Sequence, residues 1–227
     1  MRPLFGNVRD VQRFLNVLPV ILEAIREDLA LEDLLTLEAL RIQTPDVLSK
    51  MAESIDALTT VSGPFIGEPD TYGASRTEEL SAILDTAGVL RPVVEQALQR
   101  LFPASGRYLG NMHYGHEWLR TWRKNRRVAH AAVFRFYLEK NLPPGSLSAG
   151  RIQRLFEALG DPDTLRTMLR NLSTAELEYA LERLEDYEDD YPQDAVESAV
   201  RVLLECWTRL PNRSPVMAPS PEVKMSR

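Results

Sequence analysis

Apolar residues recur every three or four positions along most of the chain, the period of a helix with one buried face. Val8, Val11, Leu15, Leu18, Leu22 and Ile25 form one such stripe and predict a helix over residues 7–26. Arg9, Arg13 and Asn16 share a different face of it, at i, i+4 and i+7. Pro19 lies inside the stripe and predicts a kink or a split, because proline removes a backbone donor. Residues 31–42, LEDLLTLEALRI, are apolar over a wide arc and predict a deeply placed helix. Thr44-Pro45 then fits an N-cap followed by proline at the first helical position.

Residues 62–74 bring Gly and Pro close together and read as a loop. Ser75 and Glu78 match a capping box ahead of a helix that ends at Gly88. The segment LRPVVEQALQRLFP predicts the next helix, stopping at Pro103. Residues 103–116 are the least regular inner stretch, and NLPPGSLS, at 141–148, is a clear break. Beyond it, helices start near Ser148, at Asp161-Pro162 and at Ser173, where Glu176 completes a capping box. A last helix covers about 193–209. The tail 211–227 has four prolines and no periodicity and is expected to be disordered.

Alternating β-branched runs and Asn-Gly or Asp-Gly hairpin turns are missing. The chain therefore reads as all-α, an irregular bundle of about eight to ten helices whose latter half consists of paired antiparallel helices. The divisions expected are a helical region at 1–103, a basic and aromatic linker and helix at 104–147, helical pairs at 148–210 and the tail at 211–227. No run of about 18 apolar residues predicts a membrane span.

Charge narrows the choice of partner. The 227 residues carry a net charge of −6, which opposes unspecific attraction to phosphate backbones. The single cysteine, Cys206, cannot form an internal disulfide, and a reducing, cytoplasmic setting follows as the simplest expectation.

Catalytic signatures are sparse. The sequence has no G-x-x-x-x-G-K-[ST], no G-x-G-x-x-G and no G-x-S-x-G. His113, His116 and Glu117 form H-x-x-H-E, which is not the H-E-x-x-H spacing of a zinc protease, and polar loop residues are the favoured reading over a metal site. Arg120, Arg123, Lys124, Arg126 and Arg127 crowd around Trp118 and Trp122. That run could grip phosphates or single strands, lie solvated with its tryptophans in the core, or pair with the acidic stretch LERLEDYEDDY. Arg9 and Arg13, one turn apart, suit a polyphosphate, or else form a solvated face with Asp10 and nearby carboxylates as partners.

The stretch FGNVRDVQRFLN followed by LEDLLTLEALRIQTPDVLSKM resembles the C-terminal portion of KAP-family P-loop NTPases. Arg9, Asp10, Val11, Arg13, Phe14 and Asn16 fill a pattern Arg-Asp-Val/Ile-x-Arg-Phe-x-Asn. Asp33, Leu34, Leu37, Glu38, Leu40, Arg41, Pro45 and Val47 fill the helix pair that follows it in that family. The segments LFP at 101–103, RRVAHAAVFRFYL and LPPGSLS continue the order, so the resemblance spans about residues 5–160. Residues 161–210 look like the family's more variable helical C-terminus.

The resemblance implies a lid-like and regulatory helical region that follows a nucleotide-binding core, truncated or split from it. Arg9 or Arg13 would then sit near the nucleotide phosphates. ATP and Mg²⁺ would come only with a P-loop domain, and this chain alone would not hydrolyse ATP. The expected partner is that NTPase core or another protein, with no membrane segment here and nucleic acid disfavoured. A free-standing helical interaction module is the alternative, and nucleic-acid binding through residues 118–127 a third reading. If the chain starts inside a larger fold, an apolar patch should be exposed near its first two helices, with Phe5, Phe14 and Leu18 as candidates.

Overall fold

The computed structural model describes residues 4–61, 73–109, 114–207 and 209–210. All regular structure among them is helical. Helix α1 (Val8–Ile25) starts at Asn7, whose side chain accepts the Asp10 N–H at 3.1 Å and satisfies one orphan donor of the first turn. It runs through Pro19 without splitting.

Helix α2 (Leu31–Gln43) is followed by α3 (Pro45–Glu53), with proline at its first position as expected. Thr44 does not cap α3 with its side chain; its hydroxyl donates back to the Leu40 carbonyl at 3.1 Å, closing α2 instead. Short α4 (Ile55–Thr59) precedes α5 (Gly73–Thr86). Ser75 is not the cap of α5. It lies inside the helix, and the Thr77 hydroxyl already donates to the Gly73 carbonyl one turn back. Then come α6 (Arg91–Leu101), α7 (Gly106–Leu109), α8 (Glu117–Lys124) and α9 (Ala131–Glu139).

The C-terminal part holds α10 (Ala149–Glu157), α11 (Pro162–Arg170), α12 (Thr174–Leu184) and α13 (Val196–Trp207). Ser148 caps α10, Asp161 caps α11, and Ser173 with Glu176 forms a complete capping box on α12. The segments outnumber the eight to ten expected, because one-turn pieces such as α4 and α7 break up the longer stretches. Of the loop expected at 62–74, residues 62–72 lie outside the described residues, as do His113 and the tail 211–227, while Gly73 and Ala74 open α5.

Two large apolar cores result. The first gathers Leu34, Leu37, Leu40, Met51, Ile83 and Leu98 with the rings of Phe102 and Phe134, which meet edge-on at 4.9 Å. The second gathers Leu155, Leu165, Leu169, Leu177, Val202 and Cys206. Burial of each leucine stabilises by roughly 1.5–3 kcal/mol, so both cores are strongly held. A smaller cluster of Val61, Ala104, Trp122 and Ala129 lies beside the first.

The three residues expected on an exposed patch are covered. Phe14 is buried, its ring 5.3 Å from that of Phe5, and Phe5 and Leu18 pack partly against the first core. The uncovered part of the stripe is its neighbouring edge. Val8 (73% exposed), Val11 and Leu15 (55%) face outward from the amino half of α1. The apolar arc of α1 is wider than the surface that α2 and its neighbours present to it.

Candidate functional site

Two features carry the candidate chemistry: the amino half of α1, and the basic helix α8. On α1, Arg9, Arg13 and Asn16 are all exposed. Neither guanidinium has an ion-pair partner among the described residues, and Asp10 pairs with neither. The helix sets the two side chains one turn apart on the same side, as the spacing requires.

The cations of α8 are placed differently. Arg120, Arg123 and Lys124 stand at i, i+3 and i+4 and face the 3₁₀ turn Glu185–Asp190. Arg120 Nη1 lies 2.9 Å from Glu188, Arg123 Nη2 2.7 Å from Asp186, and Lys124 Nζ 2.6 Å from Asp190. Arg123 also reaches Glu182 at 3.7 Å. The acidic stretch LERLEDYEDDY is thus the partner of the three cations on α8.

Past the end of α8 the backbone reverses. Arg126 takes a left-handed conformation, φ 57°, and its carbonyl accepts the Ala30 N–H at 2.9 Å. Its Nη1 donates to the Glu27 carbonyl at 3.0 Å. Arg127 turns to α2, donating from Nε to Asp33 at 2.8 Å and from Nη2 to the Arg100 carbonyl at 3.0 Å. All five cations of the run are engaged within the chain.

The two tryptophans separate. Trp122 is buried in the small third cluster, while Trp118 stays 42% exposed. Tyr114 bridges them, its ring 5.4 Å from Trp118 and 5.5 Å from Trp122. One partly exposed indole beside paired cations is not the row of open aromatic faces that single strands stack upon.

Sequence reasoning passed over the buried polar groups. Asp33, deep in the first core, accepts both Arg127 Nε and the Val128 N–H, the latter at 2.9 Å. Burial pushes its carboxyl above the usual range, and those two donors pull the other way. Glu38, fully buried, accepts the Tyr137 hydroxyl at 3.0 Å and Arg41 Nε at 2.7 Å. Burial and Glu38 together raise the Tyr137 phenol. Lys140, which ends α9 in a left-handed conformation, holds its amine 3.6 Å from the centre of the Tyr137 ring.

His130 accepts the Ala132 N–H at 3.3 Å and so caps α9. Burial, and next the nearby charge of Arg123, lower its pKa to about 4, against an opposing pull from Asp186. His116 is exposed at the start of α8, and no group of three or more metal-ligating side chains occurs among the described residues. The signal for Glu38 was present in the sequence. It lies four residues after Leu34, within the apolar arc, where a carboxylate must find partners.

Comparison of the chain with protein-family models, with curated proteins and with solved structures finds no match in any of the three.

Proposed function

We propose that the chain acts as the helical, non-hydrolytic portion of a KAP-like P-loop NTPase and docks on a nucleotide-binding core through α1. One observation carries this reading. Arg9 and Arg13 stand without partners on a half-helix that also leaves Val8, Val11 and Leu15 uncovered. In the basic run on and just after α8, each of the five cations has a partner within the chain. An apolar edge and a free guanidinium pair on one surface suit a partner that supplies apolar area and negative charge together. A P-loop core holding Mg-ATP does both, and a positioned arginine would stabilise charge developing on its γ-phosphate.

The phosphate loop and the metal belong to that core, since the sequence has no G-x-x-x-x-G-K-[ST]. An ATP-linked role places the protein in the cytoplasm. Among the described residues no helix is long and apolar enough to cross a membrane.

The test is to mix the purified chain with a KAP-type nucleotide-binding core from the same genome and follow binding and ATP turnover. Saturable binding is expected, weakened by Leu15→Ser, with turnover altered by Arg9→Ala or Arg13→Ala. Absence of binding to the core overturns the reading. So does Mg²⁺-dependent hydrolysis by the chain alone that one substitution within it abolishes.

A second reading, a self-contained helical interaction module, is favoured by α13. There Val196, Val200 and Leu204 are exposed at i, i+4 and i+8, a stripe suited to a partner helix. Binding that survives Leu15→Ser but fails with Leu204→Ser selects this reading instead.

A further inference from the structure

Between the two apolar cores lies a recess of about 430 Å³, counting its open mouth. Its polar lining is Asp28, Arg123, Tyr179 and Arg183. Its apolar wall is Val133, Phe136, Leu142 and Leu147. A few convergent polar groups opposite an apolar wall, at a seam between packed units, is the common form of a small-molecule site.

The polar side has donors to spare. Arg183 is 6% exposed and donates from Nη1 to Asp186, with no partner for Nε or Nη2 among the described residues. Arg123 gives Nη2 to the same carboxylate. Its Nη1 stands 3.7 Å from Glu182, too far for a hydrogen bond, and its Nε is buried without a partner. Two guanidiniums therefore share one buried carboxylate, Asp186. Glu182, the further acid, is 66% exposed and screened by water. The Tyr179 phenol, its pKa raised by burial, lines the same side. Asp28 accepts the Gly150 N–H at 3.0 Å through one oxygen, and the other has no partner among the described residues.

We propose that this recess binds a small carboxylic acid with an apolar body. The carboxylate takes the spare N–H groups of Arg123 and Arg183, and the hydrocarbon lies on Val133, Phe136, Leu142 and Leu147. A guanidinium matches a carboxylate in plane and donor spacing, which makes it the natural head-group reader. The acid comes from one of two sources, a simple fatty acid or an amino acid. Asp28 distinguishes them, because its spare oxygen would accept an α-ammonium. The site is independent of α1 and of the NTPase reading.

The experiment titrates the full chain with 4-methylpentanoate, leucine and 4-methylpentanol while recording amide chemical shifts. Saturable shifts are expected at Ala132, Val133, Leu142, Ala149 and Tyr179 with either acid, and none with the alcohol. Tighter binding of leucine, lost in Asp28→Asn, assigns an amino acid; tighter binding of 4-methylpentanoate assigns a fatty acid. Arg123→Gln, with its fold verified by circular dichroism, should weaken either acid at least about tenfold, the scale of one charge-assisted contact. Three results overturn the proposal: no saturation of either acid below about 50 mM, a range weaker than ordinary small-ligand binding; shifts equal for acid and alcohol; or unchanged affinity in folded Arg123→Gln.

Discussion

Asp186 joins two guanidiniums, accepting from Arg123 at 2.7 Å across 63 residues of chain and from Arg183 three residues before it. It belongs to a row of three acids facing α8, but the row is unequal. The Asp186 side chain is 1% exposed, that of Glu188 68% and that of Asp190 49%. Exposed pairs are worth about 0.2–1 kcal/mol, whereas breaking a buried pair costs about 3–5 kcal/mol by stranding a charge. Asp186→Ala should therefore lower unfolding free energy by roughly 3 kcal/mol. Glu188→Gln and Asp190→Asn should each cost under about 1 kcal/mol. Urea denaturation of the three variants checks the order, and equal effects would show that burial does not set it.

Tyr137→Phe tests the polar group that the first core encloses. The change keeps the ring and removes only the hydroxyl that donates to Glu38 at 3.0 Å. Glu38 Oε1 then loses its donor in a fully buried place, which costs about 1–3 kcal/mol. The other oxygen keeps its contact with Arg41, so the loss is confined to Oε1. Thermal or urea unfolding measures the loss, and a neutral result would mean that water reaches Glu38.

The helices were legible where local chemistry sets their ends. Asn7, Ser148, Asp161 and the Ser173–Glu176 box sit where caps belong, because a cap is a contact within four residues. Ser75 misled because a capping sequence is also compatible with a helix interior once the chain upstream is helical. The fate of the basic run depended on contacts such as those to Asp186 and Asp33, 63 and 94 residues distant, and no spacing along the chain encodes those. The exposed edge of α1 was misplaced for a similar reason. Periodicity gave the apolar arc, but which side of it meets α2 depends on packing.

His130 gives the pH response. Its ordinary pKa of 6.5 falls to about 4 in the fold, so the folded state binds fewer protons than the unfolded chain between those values. Its stabilising contribution is complete above pH 6.5 and is lost as pH falls towards 4, by up to roughly 3 kcal/mol. His130→Asn keeps an acceptor for the Ala132 N–H and removes the titration. Unfolding free energy of the wild type should therefore fall more steeply than that of the variant from pH 6.5 to 4. Parallel curves would assign the acid response to the carboxylates instead.

Two glycines with positive φ separate backbone strain from crowding. Gly145, φ 80°, lies in the connection to α10, and a Cβ there would meet the Ala175 Cβ at 2.8 Å. Gly88, φ 53°, has nothing within 4 Å of such an atom among the described residues. Gly88→Ala should cost about 1 kcal/mol for the left-handed backbone alone. Gly145→Ala adds a clash with an atom fixed to helix α12 and should cost about 2–3 kcal/mol. Equal melting temperatures for the two variants would show that α12 moves freely away.

Arg9, Arg13 and Leu15 allow binding to be separated from folding. Leu15 is over half exposed, and neither arginine has a partner among the described residues. Surface changes of this kind shift stability by no more than about 0.5 kcal/mol. Arg9→Ala, Arg13→Ala and Leu15→Ser should therefore melt with the wild type. Phe14→Ala, one position away on the same helix, removes a buried ring and should cost about 3–5 kcal/mol. The docking proposal requires these silent variants to act on the nucleotide-binding core instead, Leu15→Ser by weakening binding and Arg9→Ala or Arg13→Ala by altering turnover. If binding and turnover both match the wild type, the α1 surface is ordinary solvated helix and its arginines have no phosphate to meet. If any of them melts early, that side chain supports the fold, and its exposure is no longer an argument for a partner.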